Sequence, residues 1–259
     1  MTGITQIGFS QRIRLEWLEK TARLFVAGNT REEIETELQD FLQDKLSIGG
    51  SAERGAREKA ITILLKIWVS VPESLAAFHK EGLEFLKKLP REDHLPVHWG
   101  MTMAVYPFFA NVAEQVGRLI RLQESFTLAQ IQRRIREQLG ERETVARAAR
   151  RILSSFVDWE VLERSAKRGN YEGTSPATVT HIRLVAWLIE SVLISSSSTS
   201  GSLKSVAQAP SLFPFRINSV NVNDLKENER LELYRQGLDE DIIMLAQMNR
   251  QMVGRIKLK

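Results

Sequence analysis

Cysteine is missing from all 259 residues, which removes disulfide frameworks, thiolate zinc sites and cysteine nucleophiles together. Local signatures of nucleotide and acyl-transfer chemistry are missing too. The chain contains no G-x-x-x-x-G-K-[ST] phosphate loop, no G-x-S-x-G elbow and no G-x-G-x-x-G turn, so no enzyme and no cofactor are expected. Uninterrupted apolar runs are short. Ile61 to Val71 contains Lys66 and stops at Pro72, and Leu184 to Ile194 contains Glu190; neither reaches the roughly 20 apolar residues that span a bilayer. The first residues, Met1-Thr2-Gly3-Ile4-Thr5-Gln6, lack a basic stretch followed by an apolar one, and a soluble, cytoplasmic protein without membrane partners is the expectation. No repeat of fixed period is visible.

What remains is an ordinary globular composition, 43% hydrophobic and 26% charged, with a net charge of +4. The distribution of that charge says more than its size. Between Ile131 and Asn170 lie Arg133, Arg134, Arg136, Arg142, Arg147, Arg150, Arg151, Arg164, Lys167 and Arg168 against Glu137, Glu141, Glu143, Asp158, Glu160 and Glu163. This segment carries the whole net charge, and the rest of the chain is balanced.

Within it, Glu143 to Ser154 has the sharpest pattern in the sequence. At roughly 100° per residue, Val145, Ala148, Ala149, Ile152, Leu153 and Phe156 fall on one side of a helix, and Thr144, Arg147, Arg150, Arg151 and Ser154 on the other. One face suits a small core. The other offers three guanidinium groups flanked by two hydroxyls, donors suited to phosphate oxygens and base edges. Glu143 shares the basic face and could pair with Arg147 at i,i+4, as on any solvated helix.

The neighbouring elements give that face a setting. Phe126-Thr127 is short and extended, Leu128 to Leu139 is amphipathic and stops at Gly140, and Phe156 to Leu162 leads to a polar tip, Lys167-Arg168-Gly169-Asn170, then to the β-prone Ala177-Thr178-Val179-Thr180. Helix, helix, hairpin, with Asn111 to Gln123 as a preceding helix, resembles a winged helix-turn-helix domain over roughly Asn111 to Thr180. The resemblance implies that Arg147, Arg150 and Arg151 enter or straddle the major groove of double-stranded DNA, with Thr144 and Ser154 at its edges. It implies further that Arg164, Lys167, Arg168 and Asn170 touch backbone or minor groove, and that Arg133 and Arg134 are additional phosphate contacts.

The flanks read as helical. Ser10 is a candidate N-cap for a helix to about Val26, with Ile13, Trp17, Leu24 and either Leu18 or Ala22 buried. Thr30-Arg31-Glu32-Glu33 reads as a capping box. Ile48 to Ser51 reads as a loop, and helices are expected over Ala56 to Val71 and Glu73 to Leu89. Pro90 to Pro96 reads as a polar hinge, while the apolar patch from Trp99 to Phe109 is able to weld the domains on either side, and Pro107 should break any helix through it. Past a helix at His181 to Ile194, Ser195 to Ser202 reads as a flexible linker or exposed loop, Leu212 to Ile217 as an edge strand with Leu231 to Tyr234 either its partner or the continuation of a helix from Asp224, Asp239-Glu240-Asp241 as the start of a helix at Ile242 in preference to a cation site, and Arg255 to Lys259 as a basic tail. The expected fold is mainly α: a helical N-terminal domain (1–95), a winged helix-turn-helix (96–181), and a C-terminal helix, linker and small α/β extension (182–259).

His94 and His98 stand four apart, a spacing that on a helix suits a metal. Pro96 between them argues against the helix and no third ligand is obvious, so no metal site is expected. His79 and His181 look solitary, and the five tryptophans, each in an apolar stripe, read as core.

Together these features point to a non-enzymatic protein that docks on duplex DNA, with protein partners or a second copy bound by its helical flanks. The Ser-rich run followed by Leu212-Phe213-Pro214-Phe215 resembles accessory proteins of bacterial phage-defence operons, which implies a regulator or accessory subunit of such a system. The alternative is a scaffold whose basic face meets an acidic protein; RNA is a third possible partner.

Overall fold

In the computed structural model, which describes residues 7–46, 55–196, 198–218, 220–236 and 240–246, the predicted capping box forms. Thr30 Oγ1 accepts from the Glu33 backbone N–H, and the Glu33 carboxylate accepts from the Thr30 N–H. It starts α2 (Arg31–Phe41), which follows α1 (Leu15–Val26). Helices α3 (Ala56–Trp68), α4 (Ala76–Lys88, entered through a 3-10 turn at Glu73–Leu75), α5 (His94–Val105) and α6 (Pro107–Leu122) come next. Pro107 does separate two helices, and it does so as the first residue of α6, where its missing N–H costs nothing.

The chain continues through β1 (Ser125–Thr127), α7 (Leu128–Leu139), α8 (Glu143–Asp158), β2 (Leu162–Arg164), β3 (Asn170–Gly173) and β4 (Ala177–Val179). It ends with α9 (Ile182–Ser195), β5 (Ser200–Ser202), α10 (Leu203–Ala207), β6 (Phe215–Ile217), α11 (Val222–Leu225), β7 (Leu231–Gln236) and β8 (Glu240–Leu245). The architecture is mainly α, with three small sheets among the described residues. Strands β1, β3 and β2 form an antiparallel sheet in that order, β4 and β6 a parallel pair, and β5, β8 and β7 a second antiparallel sheet. Among the described residues no single helix is long and apolar enough to cross a membrane.

Several expectations are corrected by tertiary contacts. The first helix begins at Leu15, not near Ser10, because Arg14 is extended and the residues before it are docked on the end of α8: the Ile13 N–H donates to Ser155 Oγ, Trp159 Nε1 donates to the Ile13 carbonyl, and Arg12 pairs with Asp158. The Pro90–Pro96 segment is a 3-10 turn at Arg91–Asp93 that runs straight into α5. Pro96 sits in the first turn of that helix, where backbone N–H groups have no intrahelical acceptor to lose. Part of the serine-rich run is ordered by pairing: Ser200, Gly201 and Ser202 lie opposite Met244, Ile243 and Ile242, and Ser202 Oγ caps α10.

Strand β6 pairs with β4, and β7 pairs with β8. The residues following Glu240 are therefore a strand and not the helix that the acidic run suggests; pairing with β5 and β7 on both sides, and packing of buried Ile243 in the core, outweigh the helix-start signal. The predicted loop at Ile48 to Ser51, Asp239 and the tail from Arg255 lie outside the described residues.

Apolar side chains from Phe9 to Ile243 form one contiguous core that draws on all three expected segments. All five tryptophans are buried. Trp99 on α5 stands at the centre. Its ring lies 5.1 Å from Phe109, 4.9 Å from Phe156, 5.9 Å from Trp159, 5.3 Å from Phe213 and 5.7 Å from Phe215, and its Nε1 donates to the Ser211 carbonyl at 3.0 Å. One indole therefore joins α5, α6, α8 and the segment leading into β6. Trp187 on α9 stacks flat on Phe78, 4.2 Å between centroids, and donates to the Phe78 carbonyl.

Two close approaches require glycine. A methyl at Gly117 on α6 would lie 1.9 Å from the Pro210 carbonyl oxygen, and one at Gly100 would lie 2.4 Å from the Trp187 ring. Polar pins complete the joint: Arg230 holds buried Glu190 through two nitrogens, at 2.7 and 2.8 Å, and shares Glu81 with Arg183.

Trp99→Ala should destabilise the protein by about 3–5 kcal/mol, the usual range for removing a fully buried aromatic. Gly117→Ala should cost about 1–3 kcal/mol, because backbone and not a movable side chain stands in the way. Urea unfolding followed by circular dichroism measures both.

Candidate nucleic-acid interface

The local sequence builds this surface from α6 to β3. Thr127 and Gln130 make a second capping box that starts α7 immediately after β1. Gly140, with φ +83°, ends α7 in a conformation that side-chain-bearing residues avoid, and Glu143 begins α8 three residues later. Helices α6, α7 and α8 pack on one another around Ile131, Ile135, Val145, Ala149, Ile152 and Phe156. Gln132 Nε2 donates to the Ala146 carbonyl and ties α7 to α8. Residues 165–169 form the tip between β2 and β3. Strand β1 then adds to the far side of β3, with Ser125, Phe126 and Thr127 opposite Glu172, Tyr171 and Asn170.

Helix α8 presents the two faces the sequence predicts. Val145, Ala148, Ala149, Ile152, Leu153 and Phe156 are buried; Thr144, Arg147, Arg150 and Arg151 are exposed, and Ser154 is half-buried with its hydroxyl donating to the Arg150 carbonyl. Glu143 sits 3.6 Å from Arg147, both well exposed; such an i,i+4 surface pair contributes only about 0.3–0.5 kcal/mol. Arg150 and Arg151 have no acidic partner among the described residues. The one acid at the end of the helix, Asp158, is already neutralised by Arg12. Ala146 and Ser155, not anticipated as core, are buried as well, Ser155 because it receives the Ile13 N–H.

Arg164, Lys167 and Arg168 on the hairpin are exposed, without ion pairs among the described residues. Asn170 differs from expectation. It lies in β3, and its side-chain amide donates to Ser125 Oγ at 2.9 Å, so it ties the hairpin to β1 and is not a free tip residue. The returning strand is Asn170–Gly173; the Ala177–Val179 segment, expected to complete the hairpin, pairs instead with β6. Arg133 is exposed and 3.8 Å from Glu137, while Arg134 is half-buried.

A second constellation departs from the sequence expectation in two respects, the helix through Pro96 and a third group beside the histidines. With α5 helical from its first residue, His94 and His98 do share a face, and a third group meets them from α1: Glu19, whose Oε2 is 2.9 Å from His94 Nδ1 and 2.9 Å from His98 Nε2. All three residues are buried. Seventy-five residues separate Glu19 from His94, and no local pattern signals the meeting. Desolvation raises the Glu19 pKa, but hydrogen bonds from His98 and His94 and their charge outweigh it and pull the value down to about 2. Desolvation holds His98 below its ordinary value.

No protein-family model, no curated protein and no solved structure matches this chain.

The Glu19 carboxylate is lower in pKa folded than unfolded. Its contribution to stability is therefore complete above the unfolded value of 4.5 and disappears as pH falls towards about 2. His98 adds a loss in the same direction, starting as the unfolded chain takes up a proton below 6.5. Denaturation midpoints in chelator-containing buffer should fall steadily on acidification, and Glu19→Gln should flatten the acidic limb of that curve.

Proposed function

We propose that the chain is a non-enzymatic DNA-binding protein in which residues 107–173 act as a winged helix-turn-helix and α8 is the recognition helix. The observation that carries this reading is the pair Arg150 and Arg151, solvent-facing beside Arg147 and free of acidic partners among the described residues. A cation held in water without a counter-ion is ready to replace the counter-ions of a phosphate backbone. Support also comes from the arrangement of three packed helices, a strand between the first two, and a hairpin whose inner strand pairs with it. This arrangement leaves one helix face and one hairpin tip outward, as groove insertion and backbone contact require. The proposed roles are base-edge and phosphate contacts for Arg147, Arg150 and Arg151, with Thr144 at the groove edge and Ser154 behind it. Arg164, Lys167 and Arg168 would make backbone contacts, with Arg133 and Arg134 reaching further phosphates. Regulator or accessory subunit is the role we assign, with the helical N-terminal and mixed C-terminal segments free to meet other proteins.

Fluorescence anisotropy against random-sequence duplex DNA tests it. Affinity should fall with a log-log salt slope of about −0.9 for each phosphate neutralised. Replacing Arg147, Arg150 and Arg151 together by alanine should abolish binding with unchanged circular dichroism, since these exposed side chains support no packing. Removing Arg164, Lys167 and Arg168 should weaken binding about equally for all sequences and shallow the slope by about 1 for each phosphate left unneutralised. Duplex binding unchanged in the triple arginine variant would place the interface elsewhere.

A further inference from the structure

Helices α1 and α5 meet across Glu19, His94 and His98, groups that DNA binding leaves unused. Their donor atoms lie within 4.8 Å of one another. The second ring nitrogen of His94, Nε2, is 3.0 Å from the Leu89 carbonyl oxygen. A carbonyl only accepts, so Nε2 carries the ring proton. In a neutral imidazole, Nδ1 is then a bare lone pair, facing a carboxylate oxygen 2.9 Å away that is also an acceptor. Two acceptors at that distance repel unless a proton or a metal cation stands between them.

We propose that Glu19, His94 and His98 form a binding site for a divalent transition-metal ion, zinc foremost, that clamps α1 to α5. Two imidazoles and one carboxylate are a ligand set that zinc takes while keeping a fourth position open. Imidazole donors select it over magnesium and calcium, which favour all-oxygen shells. The His94 Nε2–H donated to a backbone carbonyl is the outer-shell bond that metal-bound histidines usually make, and it aims Nδ1 at the site.

His98 contributes differently. It is fully buried and its Nδ1 has no hydrogen-bond partner, so no second bond fixes its ring against a small adjustment. Some adjustment is needed: tetrahedral ligation sets donor atoms about 3.3 Å apart, a few tenths of an ångström wider than the 2.9 Å separations. Glu19 also lines a cleft of about 450 Å³ together with Glu16, Lys20, Arg23 and Arg91, which brings one of the three ligand residues to the edge of open space. The residue after His94 is Leu95, so the general-base glutamate of an H-E-x-x-H helix is absent and the ion's role is to hold the joint.

The test is calorimetric titration of the full-length protein, stripped with a chelator, using zinc sulfate and, in parallel, magnesium chloride. One zinc per chain should bind, magnesium should not, and saturating zinc should raise Tm. Glu19→Gln and His94→Gln should each weaken zinc at least about tenfold. Either substitution could loosen the joint itself, so the wild-type chain supplies a second readout. Its four histidines give resolvable ring signals by NMR, and zinc should move those of His94 and His98 while leaving His79 and His181. Absence of stoichiometric zinc, ring shifts confined to His79 and His181, or an affinity indifferent to both substitutions would each overturn the site and leave a proton as the group shared by Glu19 and His94.

Discussion

The buried indole of Trp99 is the constraint on which the other parts depend. Its five aromatic neighbours come from α6, α8, the turn after α8 and the chain entering β6. Removing any of those elements from its place would expose the others. The outward arginine face of α8 is held by this cluster from behind: Phe156 stacks on Trp99, and Trp159 reaches across to the Ile13 carbonyl. Sequence-distant segments thus give a sixteen-residue helix a rigid back, and rigidity behind a recognition surface is what lets a few side chains position themselves against a partner.

Charge is divided by depth. Four buried or half-buried acids are met at short range: Glu190 by Arg230, Glu81 by Arg230 and Arg183, Asp158 by Arg12, Glu19 by two histidines. Leaving any of them unpaired in a low-dielectric interior would cost several kcal/mol. At Arg150 and Arg151 on α8 and at the β2–β3 tip the reverse holds, with cations in water lacking counter-charges among the described residues, while Arg147 keeps only an exposed i,i+4 pair with Glu143. Water makes this inexpensive, and a polyanion can exploit it. The same chain therefore uses short ion pairs as internal pins and leaves on the surface proposed for DNA only long, exposed ones, at Arg147 and Arg133.

Much of that surface was legible before folding. The α8 wheel depends on a local period, so Val145, Ile152 and Phe156 read as core and Arg147, Arg150 and Arg151 as surface directly. Thr30 and Glu33, or Gly140, act within one turn of backbone and were equally visible. Asn170 was not: its position in β3 depends on which strand returns along the hairpin, and its amide on Ser125 forty-five residues earlier. Glu19 was invisible for the same reason. Pro96 misled because a proline's effect on a helix depends on whether it falls in the first turn, and the start of α5 is set by packing as well as by sequence.

By itself, then, the sequence determined the mainly helical character, the capped helix starts, the two-faced α8 and the concentration of positive charge between Ile131 and Asn170. Each is a property of residues a few positions apart, written into 3.6-residue geometry and side-chain chemistry. Tertiary structure alone decided that Arg12 and Ile13 would dock on α8, that serines of the low-complexity run would enter a sheet, that β4 would leave the hairpin for β6, and that a glutamate from α1 would meet two histidines on α5. Those outcomes join groups tens to well over a hundred residues apart. No local pattern encodes which of them meet; the burial of a shared core does.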